Sequence, residues 1–221
     1  IKDSHRLDRL RAFGIEIFIG HDSKNVKSVN FVARSTAISD SNIECLQALE
    51  NGIPLLSREK VLRSISKLKD SIAVSGTHGK TTTSSMLSLV LREAGLKPSF
   101  IIGGEVNEIG TGAIWDEGEL LVIEAEESDA SFLGLKRKLS IITNLEEDHL
   151  EYFGGFEALY KAFVKFGDET DGVVLLGIDD VNSLRLSNEI KATTVGFNSR
   201  ADWRIELTKE TWNGSEFVVT G

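Results

Sequence analysis

The sequence has 221 residues, with 25 Lys and Arg against 34 Asp and Glu, for a formal charge of −9. Hydrophobic residues at 41% and charged residues at 27% suit one large globular domain or two small ones. The single Cys excludes an internal disulfide framework and fits a cytoplasmic protein, no apolar run nears the roughly 18 residues of a membrane span, and the acidic balance argues against non-specific nucleic-acid binding.

Residues 1–68 read as an incomplete, Rossmann-like α/β unit. Leu7, Leu10, Arg11 and Phe13 predict a short amphipathic helix closed by Gly14. The alternation over 15–19 predicts a strand, and 29–33 a second. Asp40 or Ser41 is a candidate cap for a helix through Ile43, Leu46 and Leu49, ended by Asn51-Gly52. A brief strand is expected over 53–55. A helix is expected over 57–68, with Val61, Leu62, Ile65 and Leu68 on one face.

Residues 69–200 read as a second α/β unit with a mostly parallel central sheet of phosphate-loop type. A strand over 71–74 runs into a Gly-rich turn at 76–79 and a helix over 80–93. Further strands are expected over 98–102, 120–124, 139–143, 173–176 and 192–195. Helices are expected over 155–166 and 181–190. Leu120-Leu121-Val122-Ile123 is continuously apolar, as in a strand covered on both faces. Alternating stretches over 203–207 and 217–220 predict a small antiparallel hairpin through Asn213-Gly214, with a turn longer than two residues.

Three segments carry chemistry. Ser75-Gly76-Thr77-His78-Gly79-Lys80-Thr81-Thr82 lies between a buried strand and a helix, the context of a phosphate-binding loop. Glycines admit close approach of phosphates, and the helix start supplies amide donors and positive potential. Lys80 would reach the β- and γ-phosphates, and the Thr81 hydroxyl would ligate Mg²⁺. Val74 stands where the common G-x-x-x-x-G-K-[ST] form has its first Gly, so the loop is a shorter variant.

The second segment, 116–129, holds seven carboxylates and no Lys or Arg. Glu124 ends an apolar strand, where open α/β sheets bind ligands, and suits Mg²⁺. Glu126 and Glu127 read equally as further ligands or as a solvated acidic loop. The third segment, Thr143 to His149, leaves the next apolar strand on the same sheet edge. His149 reads as a second metal ligand, a group orienting phosphate, or a capping or surface histidine. Asp148 could cap the following turn, and His5 and His21 have no evident partner.

Together, Gly76 to Thr82, Glu124-Ala125-Glu126-Glu127-Ser128-Asp129-Ala130-Ser131-Phe132 and Asn144-Leu145-Glu146-Glu147-Asp148-His149-Leu150-Glu151-Tyr152-Phe153-Gly154 resemble the central ATPase domain of the Mur ligases. The likeness is greatest to their alanine-adding branch. Phe13 to His21 and Ser35-Thr36-Ala37-Ile38 resemble the uridine-nucleotide-binding domain of that branch. Gly103-Gly104 with Gly110-Thr111-Gly112-Ala113 resembles a substrate-contacting loop.

The resemblance implies a ligase that uses ATP to join L-alanine to the carboxylate of UDP-N-acetylmuramate through an acyl phosphate, in peptidoglycan precursor synthesis. It implies that Gly76, Thr77, His78, Gly79, Lys80, Thr81 and Thr82 bind ATP. Thr81 and Glu124 would hold one Mg²⁺ and His149 a second, with Lys80, Glu124 and His149 as the catalytic set. Ser35, Thr36 and Ser128 would face the substrate. Lys165 matches a position that is carbamylated in sister ligases, a modification the alanine-adding branch is not expected to need.

Glu126 departs from an Asp usual in that branch. Residues 1–221 contain neither the family's opening Gly-rich loop nor its C-terminal ligase domain. On this resemblance we expect a truncated UDP-sugar-binding domain over 1–68 and a central ATP-binding domain over 69–221. Residues 1–221 alone are then expected to lack full ligase activity. Two other readings stay open: another Mur-family amide ligase, such as a murein tripeptide ligase or a cyanophycin synthetase, and a non-catalytic nucleotide-binding module. The stretch from Glu127 to Phe132 favours the alanine-adding branch.

Overall fold

The computed structural model describes residues 5–221 apart from Thr36, Asp129 and His149, with the backbone alone for His5, Arg6 and Arg9. The chain divides into two compact units, Ile1–Val61 and Leu62–Gly221.

In the first unit, α1 (His5–Ala12) closes at Gly14, whose φ of +77° is the left-handed conformation that favours glycine. Strand β1 (Val32–Arg34), helix α2 (Ile43–Glu50) and strand β2 (Leu55–Ser57) form a parallel β-α-β unit with Val32 opposite Leu55. Asn42, not Asp40 or Ser41, caps α2: its side chain accepts from the Glu44 amide. Residues 15–19 do not form the expected strand. No neighbouring strand pairs with them among the described residues, and Ile15, Phe18 and Ile19 stay exposed. His21 does have a partner, because its Nδ1 lies 2.6 Å from Glu44 Oε2. Helix α3 (Arg58–Ile65) leads out of β2 and is shorter than expected.

The second unit is built on β3 (Asp70–Ser75), α4 (Lys80–Glu93), β4 (Ser99–Val106), β5 (Thr111–Ile114), β6 (Leu120–Glu124) and β7 (Leu139–Ile142). It continues through α5 (Leu150–Phe153), α6 (Phe156–Asp168), β8 (Val173–Gly177), α7 (Val181–Leu186), β9 (Thr193–Gly196), β10 (Trp203–Thr211) and β11 (Gly214–Thr220). The described strands form one nine-stranded sheet in the order β11-β10-β9-β8-β7-β3-β6-β4-β5. It is parallel except at its two edges, where β5 pairs antiparallel with β4 and β11 with β10. The β10–β11 turn is a two-residue one, with Thr211 opposite Gly214, tighter than the sequence suggested. Strand β5 escaped the sequence reading because Gly110-Thr111-Gly112 looks like loop composition. Gly112 sits where an added Cβ would stand 2.4 Å from the Gly104 carbonyl, so the close strand approach itself requires glycine.

Strand β3 is central and marks the switch point of the sheet. From it the chain passes to β4 and β6 on one side and to β7, β8 and β9 on the other. The segments leaving β3, β6 and β7 therefore open side by side on one edge, where such sheets hold ligands.

Both faces of the central strands are covered, as the apolar run of β6 implied, whereas β10 and β11 stay exposed along nearly their whole length. Leu121 and Ile123 join the core beneath α6, while Val122 joins Val74, Phe100 and Ile102 beneath Leu87 and Leu91 of α4. On α6, Leu159, Tyr160, Phe163 and Phe166 recur at helical spacing and are fully buried. Phe132 lies against Phe163 and Phe166 with ring centroids 5.2 and 5.0 Å away. Arg137, 2% exposed, lies over the Phe166 ring and donates to the carbonyls of Phe166 and Leu135. No helix among the described residues is long and apolar enough to cross a membrane.

Phe163→Ala should lower unfolding free energy by about 3–5 kcal/mol, since it removes a fully packed ring. Urea unfolding followed by circular dichroism measures this; a loss under about 1 kcal/mol would show that the ring is not part of the core.

Candidate functional site

The loop after β3 combines two left-handed glycines with outside bracing. Gly76 has φ +131°, and an added Cβ would stand 2.1 Å from Thr143 Oγ1. Gly79, at φ +80°, occupies the N-cap of α4 and contributes no side-chain cap. The exit of β7 holds the loop in place. Asn144 Oδ1 accepts from the His78 amide at 2.8 Å, and Asn144 Nδ2 donates to the His78 carbonyl at 3.0 Å. Thr143 Oγ1 donates to that same carbonyl, and the Glu146 amide donates to Thr77 Oγ1. The amides of Thr77 and His78 are thus committed to Asn144. The donors that the loop can offer an anion are those of the first turn of α4, where side-chain capping is absent. His78 acts here through its backbone, and its exposed ring lies 3.6 Å from Glu146.

Lys80 opens α4, yet its side chain is buried and folds back beneath the loop. Its ammonium donates to the Gly76 carbonyl at 2.8 Å, the Thr77 carbonyl at 3.3 Å and Glu127 Oε1 at 2.9 Å. Glu127 is 1% exposed, so the solvated-loop reading of this residue is wrong. The connection that leaves β6 places it inside: the Ala125 amide donates to the Val74 carbonyl, and the Ala130 amide donates to the Glu127 carbonyl, closing a turn. Burial pushes the Glu127 carboxyl above its ordinary pKa, and the Lys80 ammonium opposes that shift. Glu126, one residue before it, is only half-buried, and its Oε1 accepts from the Ser128 amide.

Thr81 and Glu124 meet at the mouth of the site. Thr81 Oγ1 donates to Glu124 Oε1 at 2.8 Å, and the Gly103 amide donates to Oε2 at 2.7 Å. A hydroxyl and a carboxylate oxygen side by side are hard donors that fit Mg²⁺. Among the described residues no three His, Cys, Asp or Glu side chains converge into a metal cage. That donor set suits an ion that keeps waters and shares phosphate oxygens better than it suits a fully protein-held metal. A cavity of about 290 Å³ opens beside Thr81 and Thr82, with Met86, Glu105 and Glu108 among its lining residues.

Not every sequence candidate gathers here. His149 and Thr36 lie outside the described residues. Ser35 belongs to the first unit, where it lines a cavity with Arg34, Asp40 and Ser57 and its Oγ accepts from the Ala37 amide. Lys165 is exposed on α6, 3.7 Å from Glu169. The acidic segment 116–129 is split by β6. Glu124 and Glu127 lie at the strand's carboxyl end, whereas Glu117 and Glu119 line a separate cavity before its start, among Lys67, Lys136 and Lys138. Asn144 was inside a segment singled out from sequence, but nothing in its spacing marked it as the brace of the loop. Glu127 had one weak signal: with Ala125 it follows the two-residue alternation of a buried extended segment.

Comparison with known proteins gives a consistent result. Residues 74–221 match the Mur ligase middle domain, and residues 1–70 match the Mur ligase family catalytic domain. The UDP-N-acetylmuramate–L-alanine ligase of Geobacter sulfurreducens is 40% identical over 224 residues, covering 99% of this chain and 48% of that protein. The ligase of the same name from Carboxydothermus hydrogenoformans is 41% identical, covering 96% of this chain and 47% of that protein. The crystal structure of the UDP-N-acetylmuramate-alanine ligase from Thermotoga maritima superposes with a TM-score of 0.81 at 30% identity, covering 93% of this chain and 47% of that one. The chain spans about half the length of the curated relatives it matches.

Gly76→Ala and Gly79→Ala should separate the two demands on the loop. Both lose a left-handed glycine, but only Gly76 is packed against a neighbour. Gly79→Ala should cost about 1 kcal/mol and Gly76→Ala about 2–4 kcal/mol, read as the difference in urea midpoints. Equal costs would contradict the packed seam between Gly76 and Thr143.

Proposed function

Because the chain belongs to the Mur ligase family, we propose that its second unit binds ATP with Mg²⁺, and that the polypeptide carrying it joins L-alanine to the carboxylate of UDP-N-acetylmuramate. The observation that carries this reading is the convergence of Lys80, the uncapped first turn of α4 and the Thr81–Glu124 pair at one sheet edge. Relatives near 40% identity that bear the alanine ligase name support alanine as the added amino acid over other members of the family. The ligase names of those relatives also support an enzyme over a non-catalytic module.

The chemistry needs no nucleophile from the protein. The substrate carboxylate attacks the γ-phosphorus and ADP leaves, giving an acyl phosphate. The L-alanine amine then attacks the acyl carbon, loses a proton and expels phosphate. The amides of α4's first turn fix the phosphates, and Lys80 neutralises charge on the transferred group. The loop holds these donors in place before substrate arrives, which favours positioning. Thr81 and Glu124 would hold Mg²⁺, which when bound screens the charge of the β- and γ-phosphates. His149 is proposed as the ligand of a second Mg²⁺, and Ser35, Thr36 and Ser128 as substrate contacts.

Two measurements test this reading. ATP should bind the 221-residue chain in calorimetry with Mg²⁺, and Lys80→Ala should weaken it at least about 100-fold; unchanged affinity would remove the loop from the site. In the complete polypeptide that carries this sequence, ADP release with UDP-N-acetylmuramate should depend on L-alanine and not on glycine or D-glutamate. Equal stimulation by another amino acid would overturn the assignment of alanine.

A further inference from the structure

The three donor positions of the Lys80 ammonium are all taken by protein atoms. Two of the acceptors, the Gly76 and Thr77 carbonyls, are part of the loop and move only with it. Glu127 is the one side chain among them. A phosphate oxygen that engages Lys80 must therefore share or replace the Glu127 carboxylate. Glu127 pays for its position in a way that matters here. Its Oε1 bonds Lys80, while its Oε2 is buried without any hydrogen-bond partner in the described structure. With 1% exposure the carboxylate has little water to fall back on, so the ammonium is its main compensation.

We infer that Glu127 is a resident counter-ion that holds the place of a nucleotide phosphate on Lys80 and competes with it for the ammonium. This deepens the nucleotide-binding reading above and rests on it. The geometry separates it from Glu124. Glu124 is tied to Thr81 and the Gly103 amide at the mouth, while Glu127 approaches the ammonium from within the protein. A counter-ion of this kind keeps the lysine folded beneath the loop when no nucleotide is bound. Its negative charge also sets a threshold, because a phosphate must outcompete a carboxylate already in contact.

The sign of the effect distinguishes this role from simple scaffolding. If Glu127 only props Lys80 in place, removing its charge weakens phosphate binding. If it competes, removing its charge strengthens binding. Inorganic pyrophosphate without metal, and ADP with Mg²⁺, are titrated into the 221-residue chain and into Glu127→Gln, with thermal melts to confirm folding. Gln keeps the shape and a neutral acceptor, so the ammonium faces the anion uncompensated. Both ligands are expected to bind Glu127→Gln about tenfold more tightly than the parent. Glu127→Asp, which keeps the charge but withdraws it by one methylene, is expected to fall between the two, and carries the test by the same sign if the Gln variant does not fold. Unchanged or weaker binding in the variants, with a parent whose binding depends on Lys80, overturns the competition alone. A parent that binds neither ligand overturns the nucleotide-binding reading and this inference with it.

Discussion

The ammonium of Lys80 is buried, and the rest of the site is arranged around that fact. A buried charge is costly unless it is paired and fully hydrogen-bonded. Two loop carbonyls and the Glu127 carboxylate meet that requirement. The loop can present its carbonyls inward because Gly76 adopts a left-handed backbone against Thr143, where any side chain would collide. The same seam lets Asn144 take the amides of Thr77 and His78, which leaves the first turn of α4 as the open donor surface. Lys80, the bracing of its loop and the uncapped helix start are one connected arrangement.

Sheet topology supplies the neighbours. Strand β3 lies between β6 and β7, so the residues following all three emerge at one edge. Glu124 ends β6 and Glu127 follows it, while Thr143, Asn144 and Glu146 follow β7. Residues more than 40 apart in sequence thereby meet within hydrogen-bond distance, as in the Thr81–Glu124 pair. Matches of residues 1–70 and 74–221 to Mur ligase domains place this arrangement in a family setting without supplying any of its distances.

Much of this architecture was legible in the residues. Apolar runs located β3, β6 and β7, and Gly76, Gly79 and Lys80 marked the loop, because glycine freedom and strand burial leave strong local signals. Pairing partners leave weaker ones. Glu127 read equally as solvated because its burial depends on a lysine 47 positions earlier. Residues 15–19 had the alternation of a strand but no neighbour to pair with among the described residues. The helix cap fell on Asn42 and not on Asp40 or Ser41, a matter of local backbone geometry that composition alone does not resolve. Acidic residues at 116–129 looked like one cluster until β6 separated them to opposite ends of a strand.

A crystal structure of the chain with Mg²⁺ and a non-hydrolysable ATP analogue tests the central claim most directly. The terminal phosphates should lie over the first turn of α4, with one of their oxygens on Lys80 Nζ and the metal held by Thr81 Oγ1 and Glu124. A nucleotide bound elsewhere, or one bound here with Lys80 still held only by Gly76, Thr77 and Glu127, would contradict it.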